Sequence, residues 1–266
     1  MVNLKQSLAV ATVLLMTGSF SIISAAAPQD DPCSDDYRRI ILEDKAYPWG
    51  SAKIAAMEKI AGRCAKTTGQ YEFRLASLYT EVGKLEKAEG LIKQGLAQRN
   101  AYKRELELAL GDLYSMRGDL HGAEGQFQRL VKDYPNWAFG YMKIGAVRLD
   151  QRRFREAVGF LEKANVLEKN AFTYRCLAIA HSQLGEHEAA VRAVNLAYEM
   201  DQSLVSDRDA MLAAVHSYAT VGKLEVAQNL LAMALKAQPD FPKDPRYQQA
   251  VNYIAKRSEE LGHGKE

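Results

Sequence analysis

Val82-Gly83-Lys84-Leu85-Glu86-Lys87-Ala88 returns four more times in altered form. The copies are Arg117-Gly118-Asp119-Leu120-His121-Gly122-Ala123, Gln151-Arg152-Arg153-Phe154-Arg155-Glu156-Ala157, Leu184-Gly185-Glu186-His187-Glu188-Ala189-Ala190 and Val221-Gly222-Lys223-Leu224-Glu225-Val226-Ala227. Their closing alanines lie 35, 34, 33 and 37 residues apart. A period near 34 is that of stacked helix-turn-helix units. The heptamer explains its own recurrence. Gly83, Gly118, Gly185 and Gly222 stand where a first helix must end, and glycine accepts the left-handed cap conformation at no steric cost. Two residues on, Leu85, Leu120, Phe154 and Leu224 offer an apolar side chain to fold back on that helix, and the alanine lets a second helix come close. Each copy predicts a helical hairpin.

Outward from the heptamers, further positions recur. Leu110-Gly111, Tyr114, Ala123, Phe127 and Pro135 form one series, and Tyr218, Ala227, Leu231, Ala234 and Pro239 another. Leu75-Ala76, Tyr79, Ala88 and Ile92; Ile144-Gly145, Ala157, Leu161 and Ala164; and Leu177-Ala178, Ala190, Val194 and Ala197 complete the set. On these residues, about 170 of the chain resemble the tetratricopeptide repeat family, whose pattern runs Trp-x2-Leu-Gly-x2-Tyr, Ala-x3-Phe and Pro. The departures are Arg148 and His181 in the aromatic slot, Arg152 in place of the turn glycine, and a longer connection around Asp201 to Asp207. The resemblance implies an all-α, right-handed α-solenoid of about five to six hairpins with a C-terminal capping helix. Such folds hold polypeptides and carry out no chemistry, so no enzyme activity and no cofactor are expected.

The expected organisation is a signal peptide over 1–26, an N-terminal helical cap or degenerate repeat over 27–69, five repeats over 70–239, and a capping helix with its tail over 240–266. In the cap, Asp36 to Asp44 and Ser51 to Ala65 read as helices separated by Pro48 and Gly50. At the other end, Pro245 to Leu261 reads as one amphipathic helix.

The first residues carry one cation, Lys5, then an apolar stretch from Leu8 to Met16, then small residues ending Ser24-Ala25-Ala26-Ala27-Pro28. That is the pattern of a secretory signal, with cleavage expected after Ala26 and a periplasmic destination. The alternative is an uncleaved inner-membrane anchor, since Leu8 to Ala27 is about long enough to span a bilayer when tilted; Thr17, Gly18, Ser19, Ser21 and Ser24 argue against it. Cys33 follows Asp31-Pro32, which is no lipidation box. In an oxidising compartment two of the three cysteines can pair. Cys33 with Cys64 is the expected disulfide, because the two bracket the segment before the repeats, and Cys176 reads as a buried thiol within a helix.

Overall the chain is 47% hydrophobic and 26% charged, the composition of a folded protein. Its net charge of +2 argues against nucleic-acid partners. No Cys-x-x-Cys, His-Glu-x-x-His, Gly-x-Ser-x-Gly or Gly-x-x-x-x-Gly-Lys occurs, so redox, zinc, acyl-transfer and nucleotide chemistry have no starting point, and neither a metal nor a small-molecule substrate is expected. The five histidines are scattered, His181 in the aromatic slot and His187 in the apolar slot of the turn.

In such a solenoid the first helices line the inner face. The register places Phe73 and Ser77, Leu108 and Asp112, Phe139 and Met142, Phe172, Arg175 and Ile179, and Leu212 and His216 on that stripe. A mainly apolar groove of this kind suits an extended peptide or an amphipathic helix, with Arg175 placed to hold a carboxylate. Phe139 and Phe172 could instead pack between repeats, because periodicity does not separate the two. Family members that clamp acidic chaperone tails use Lys and Asn where this chain has Phe73, Ser77, Leu108, Asp112, Met142 and Ala146, so that ligand is not expected. The reading at this stage is an exported scaffold binding a protein or peptide partner through its groove, in the assembly or maintenance of an envelope complex. The alternative is a membrane-anchored structural subunit, with membrane contact only if the N-terminal segment is retained.

Overall fold

The computed structural model describes residues 34–42, 51–64, 69–97 and 102–263. The signal segment and the Cys33 to Cys64 pairing lie outside the described residues. Among the described residues there are thirteen α-helices, two short 3-10 turns and no strand. The chain divides after Pro135 into two compact units.

The first unit contains α1 (Ser34–Leu42), α2 (Ser51–Cys64), α3 (Gln70–Glu81), α4 (Leu85–Leu96), α5 (Lys103–Met116) and α6 (Leu120–Asp133). Its core joins Tyr37 and Ile40 of α1 to Ile54, Met57 and Ile60 of α2, Tyr71, Phe73 and Leu75 of α3, Ile92 of α4, and Leu106 and Leu113 of α5. The second unit contains α7 (Ala138–Asp150), α8 (Phe154–Leu167), α9 (Ala171–Gln183), α10 (His187–Met200), α11 (Arg208–Thr220), α12 (Leu224–Ala237) and α13 (Pro245–His263). The long connection expected around Asp201 to Asp207 is a 3-10 turn, Gln202–Ser206, with Leu204 buried beneath it. The N-terminal pair begins and ends within two residues of its expected bounds, and the last helix runs two residues further than expected.

Each heptamer makes the hairpin in the same way. Gly83, Gly118, Gly185 and Gly222 have φ between 73° and 79°, and the residue after each donates back to the carbonyl five residues earlier. Those bonds are Lys84 to Tyr79 (2.8 Å), Asp119 to Tyr114 (2.9 Å), Glu186 to His181 (2.9 Å) and Lys223 to Tyr218 (2.9 Å). This is a left-handed cap that satisfies the last carbonyls of a helix while reversing the chain. Arg152 adopts the same conformation without glycine's freedom, at φ 60°, and Arg153 completes the cap on Arg148 at 2.8 Å. The closing alanines Ala88, Ala123, Ala157, Ala190 and Ala227 are all fully buried.

Between the two helices of a hairpin, close approach is most acute at Gly111 and Gly145. A Cβ on Gly111 would lie 2.3 Å from the Phe127 ring, and one on Gly145 would lie 2.6 Å from Leu161. The two departures in the aromatic slot are filled by polar groups answered across their own turn. Arg148 donates to Gln151 Oε1 at 2.7 Å and faces Glu156 at 3.4 Å. His181 bonds Glu186 at 2.7 Å.

Two substitutions test this account in opposite directions. Gly111→Ala forces its methyl into Phe127 and is expected to lower the stability of the first unit by about 1–3 kcal/mol. Arg152→Gly removes a left-handed penalty of about 1–2 kcal/mol against a glycine entropy cost of about 0.5–1 kcal/mol. It is expected to raise the denaturant midpoint of the second unit, and a lowered midpoint would contradict the account.

Candidate functional site

Within each unit the first helices of successive hairpins pack side by side, α3 with α5 in one and α7, α9, α11 and then α13 in the other. The second helices, α4 and α6 in one unit and α8, α10 and α12 in the other, back this layer. The stripe read from the sequence falls on the first-helix layer, and its residues are unequally exposed there.

In the first unit Phe73 and Leu108 are fully buried. Phe73 belongs to the core, its ring 6.3 Å from that of Tyr102. Ser77 turns its hydroxyl back to the Phe73 carbonyl at 2.9 Å, and Asp112 is half-buried. In the second unit Met142, Phe172 and Arg175 are buried, whereas Phe139, Ile179 and Leu212 are half-buried and His216 is exposed. Phe139 leans on Trp137, with ring centroids 5.4 Å apart. Phe172, left open by the sequence between groove and packing between repeats, is covered, whereas Phe139 keeps part of its surface. The apolar side chains with surface to offer are Phe139, Ile179 and Leu212.

Arg175 is the unusual member. Only 2% of it is exposed, and neither Nε nor Nη1 has a hydrogen-bond partner. Its guanidinium lies 5.7 Å from the centre of the Phe172 ring. The nearest carboxylate oxygen is Oδ2 of Asp207, at 4.0 Å from Nη1, beyond hydrogen-bonding distance. Asp207 is itself committed: its Oδ1 caps α11 by accepting from the Ala210 amide at 3.0 Å. Burial pushes its carboxyl above the ordinary range, and the Ala210 bond and Arg175 only partly offset this.

A line of charge continues from here across the first helices. Asp150, at the end of α7, is pushed up to about 6 by burial and by Asp209. Asp209 of α11 accepts from Arg246 of α13 at 2.5 Å, and Arg246 also holds Asp244 at 2.6 Å. Glu81 occupies the position in α3 that Asp150 occupies in α7, directly before the turn. Burial pushes it up to about 7 against the pull of Lys53 and Arg74. Asp150, Asp207, Asp209 and Arg246 were not singled out from the sequence. The one available signal was the Asp207-x-x-Ala210 cap ahead of a helix. Cys176, next to Arg175, is an unpaired buried thiol, and burial pushes its ionisation well above the ordinary thiol range. Among the described residues no cluster of three or more His, Cys, Asp or Glu is placed to hold a metal ion, and no helix is long and apolar enough to cross a membrane.

The hairpin geometry is that of a tetratricopeptide-repeat protein, and solved structures share it. The chain is similar to a thermophilic tetratricopeptide protein of Thermus thermophilus, at 21% identity and a TM-score of 0.56 over 69% of this chain and 99% of that one. It is also similar to PilW, described as a widely conserved type IV pilus biogenesis factor, at 16% identity and a TM-score of 0.62 over 85% of this chain and 100% of that one. With a chain of the APC/C hetero-tetramer Cut9–Hcn1 the identity is 14% and the TM-score 0.69, over 94% of this chain and 47% of that one. No protein-family model and no curated protein sequence matches the chain. These likenesses establish the tetratricopeptide fold.

An under-bonded buried guanidinium contributes little to stability, because its desolvation is poorly repaid. Arg175→Met is therefore expected to leave the denaturation midpoint of the second unit unchanged or higher. Asp207→Ala removes a helix cap and is expected to cost about 1–2 kcal/mol. A large loss from Arg175→Met in a chemical-denaturation series would show the guanidinium to be a structural group.

Proposed function

We propose that the protein is an exported scaffold that binds a peptide or amphipathic helix of a partner protein across its first-helix layer, in the assembly or maintenance of an envelope complex. The observation that carries this reading is that Phe139, Ile179 and Leu212, one from each of three first helices that pack in succession in the second unit, keep half-exposed apolar side chains. An apolar segment of a partner would cover these side chains, whereas Arg175, expected from the sequence to hold a carboxylate on this face, is only 2% exposed and out of a partner's reach. The same logic leaves Phe73 and Leu108 with a packing role, since their side chains are already covered. In the second unit Met142 and Phe172 lie buried and His216 is exposed on the first-helix layer, and Asp112 is half-buried on that layer of the first unit.

Two things support the envelope assignment. One is the pattern of Lys5, the apolar run Leu8 to Met16 and the small residues before Pro28. The other is the sharing of this fold with PilW, a pilus biogenesis factor, and with a subunit of the Cut9–Hcn1 assembly, which puts work in multi-protein complexes within the reach of the architecture.

The binding surface is tested by crosslinking and pull-down from an envelope fraction, comparing wild type with Phe139→Ala/Ile179→Ala/Leu212→Ala. Each exposed apolar truncation is expected to weaken capture, together by more than about tenfold, and identical partner lists would overturn the reading. Export is tested by the intact mass of the mature protein, which is expected to begin at Ala27; a mass retaining Met1 would favour the anchored subunit.

A further inference from the structure

The first-helix face of the second unit carries an unpaired charge among its apolar positions. On α7, Phe139, Met142, Ala146 and Asp150 follow one another at helical spacing, so they share one side of the helix, and Asp150 closes the stripe that Phe139 opens. On α11, Asp209 opens the stripe of Leu212 and His216 in the same way. The Asp150 charge is felt at Cys176 of α9, one turn before Ile179, and it opposes that of Asp209 of α11, one turn before Leu212. Asp150 thus leans from the end of α7 toward both neighbouring first helices. It is half-buried, as Phe139, Ile179 and Leu212 are, so a segment that covers those side chains meets the carboxylate too.

The other charges along these stripes are covered or paired. Lys143 and Arg175 are 4% and 2% exposed. Asp209 is held by Arg246, which also holds Asp244. The remaining cations of α13 face Glu260, Arg257 at 2.5 Å and Lys256 at 3.8 Å. Among the described residues none hydrogen-bonds to Asp150 or forms an ion pair with it. Burial and the like charge of Asp209 both act against its ionised form, and no cation offsets them.

We propose that Asp150 selects the partner by charge: the segment lying across Phe139, Ile179 and Leu212 carries a lysine or arginine that pairs with the Asp150 carboxylate. This pairing presupposes that the segment binds this face at all. A cation brought there is attracted by Asp150 and, at longer range, by Asp209, and the apolar cover of the segment shields the pair from water. A glutamate in its place would meet two like charges, and such juxtapositions suppress wrong partners. Arg175 lies too deep to relieve it. The face therefore favours the charge opposite to the one expected from Arg175.

Random dodecapeptides displayed on phage and selected on the full chain supply the probe. Peptides recovered on wild type and lost on Phe139→Ala/Ile179→Ala/Leu212→Ala are expected to carry Lys or Arg in excess beside their apolar residues. Selection on Asp150→Lys is expected to exchange that excess for Asp or Glu. A synthetic copy of a recovered peptide is expected to bind Asp150→Asn about tenfold more weakly than wild type at low salt, the gap narrowing at about 1 M salt. The same peptide with its basic residue replaced by Gln is expected to bind both proteins equally. Asp150→Asn ends no pairing among the described residues, so its helical content and denaturation midpoint are expected to match wild type. Peptides that need the three apolar residues yet show no basic excess, or that bind Asp150→Asn as tightly as wild type, overturn the proposal and leave the surface standing. Recovery only of peptides that ignore the apolar substitutions removes the surface, and the pairing with it.

Discussion

At the fourth residue of each second helix stands an alanine from which solvent is excluded: Ala88, Ala123, Ala157, Ala190 and Ala227. A methyl group is what the gap between the two helices of a hairpin accommodates, and Gly111 and Gly145 show the limit, since there not even a methyl fits. The left-handed turn before each second helix delivers the chain to this contact in the same orientation every time. Close approach and tight reversal together set the rotation from one hairpin to the next. Within each unit the first helices are then bound to form one layer and the second helices another. Everything attributed to the first-helix face depends on that repeated contact.

A layer built this way is mostly self-satisfied, so polar groups within it stand out. Arg148 and His181 sit in aromatic slots and are answered by residues of their own turns. Arg175 has no comparable answer: Asp207 is near enough to feel its charge and too far to bond it, being tied to the first turn of α11. Burying a guanidinium in that state is costly.

The hairpins were legible from the sequence because their determinants are local. A glycine, the leucine two places on and the alanine three further act within a span of seven residues, and five copies average away individual departures such as Arg152. The burial along the inner stripe was not legible. Phe73, Leu108 and Phe172 share with Phe139, Ile179 and Leu212 the apolar character and helical spacing that place them on the first-helix stripe. The difference is whether a side chain meets a neighbouring first helix or open surface, which depends on helix rotation and not on periodicity. The charged line through Asp150, Asp207, Asp209 and Arg246 was hidden for a related reason. Its members come from separate segments that only the stacking brings to one place.

The same distance in sequence conceals a stack of aromatic rings at the C-terminal end, His187 against His216 and His216 against Tyr253. His187 reads as a departure in the apolar slot of a turn and His216 as a groove residue, and nothing in the sequence singles out Tyr253. Their contact is a property of three helices together. Position in the stack also determines how much such a contact matters. In a repeat architecture the free energy is a sum of hairpin and nearest-neighbour terms, so an inner helix is held from two sides and a terminal one from one. Helix α13 packs on α11, α12 and the 3-10 turn Phe241–Lys243.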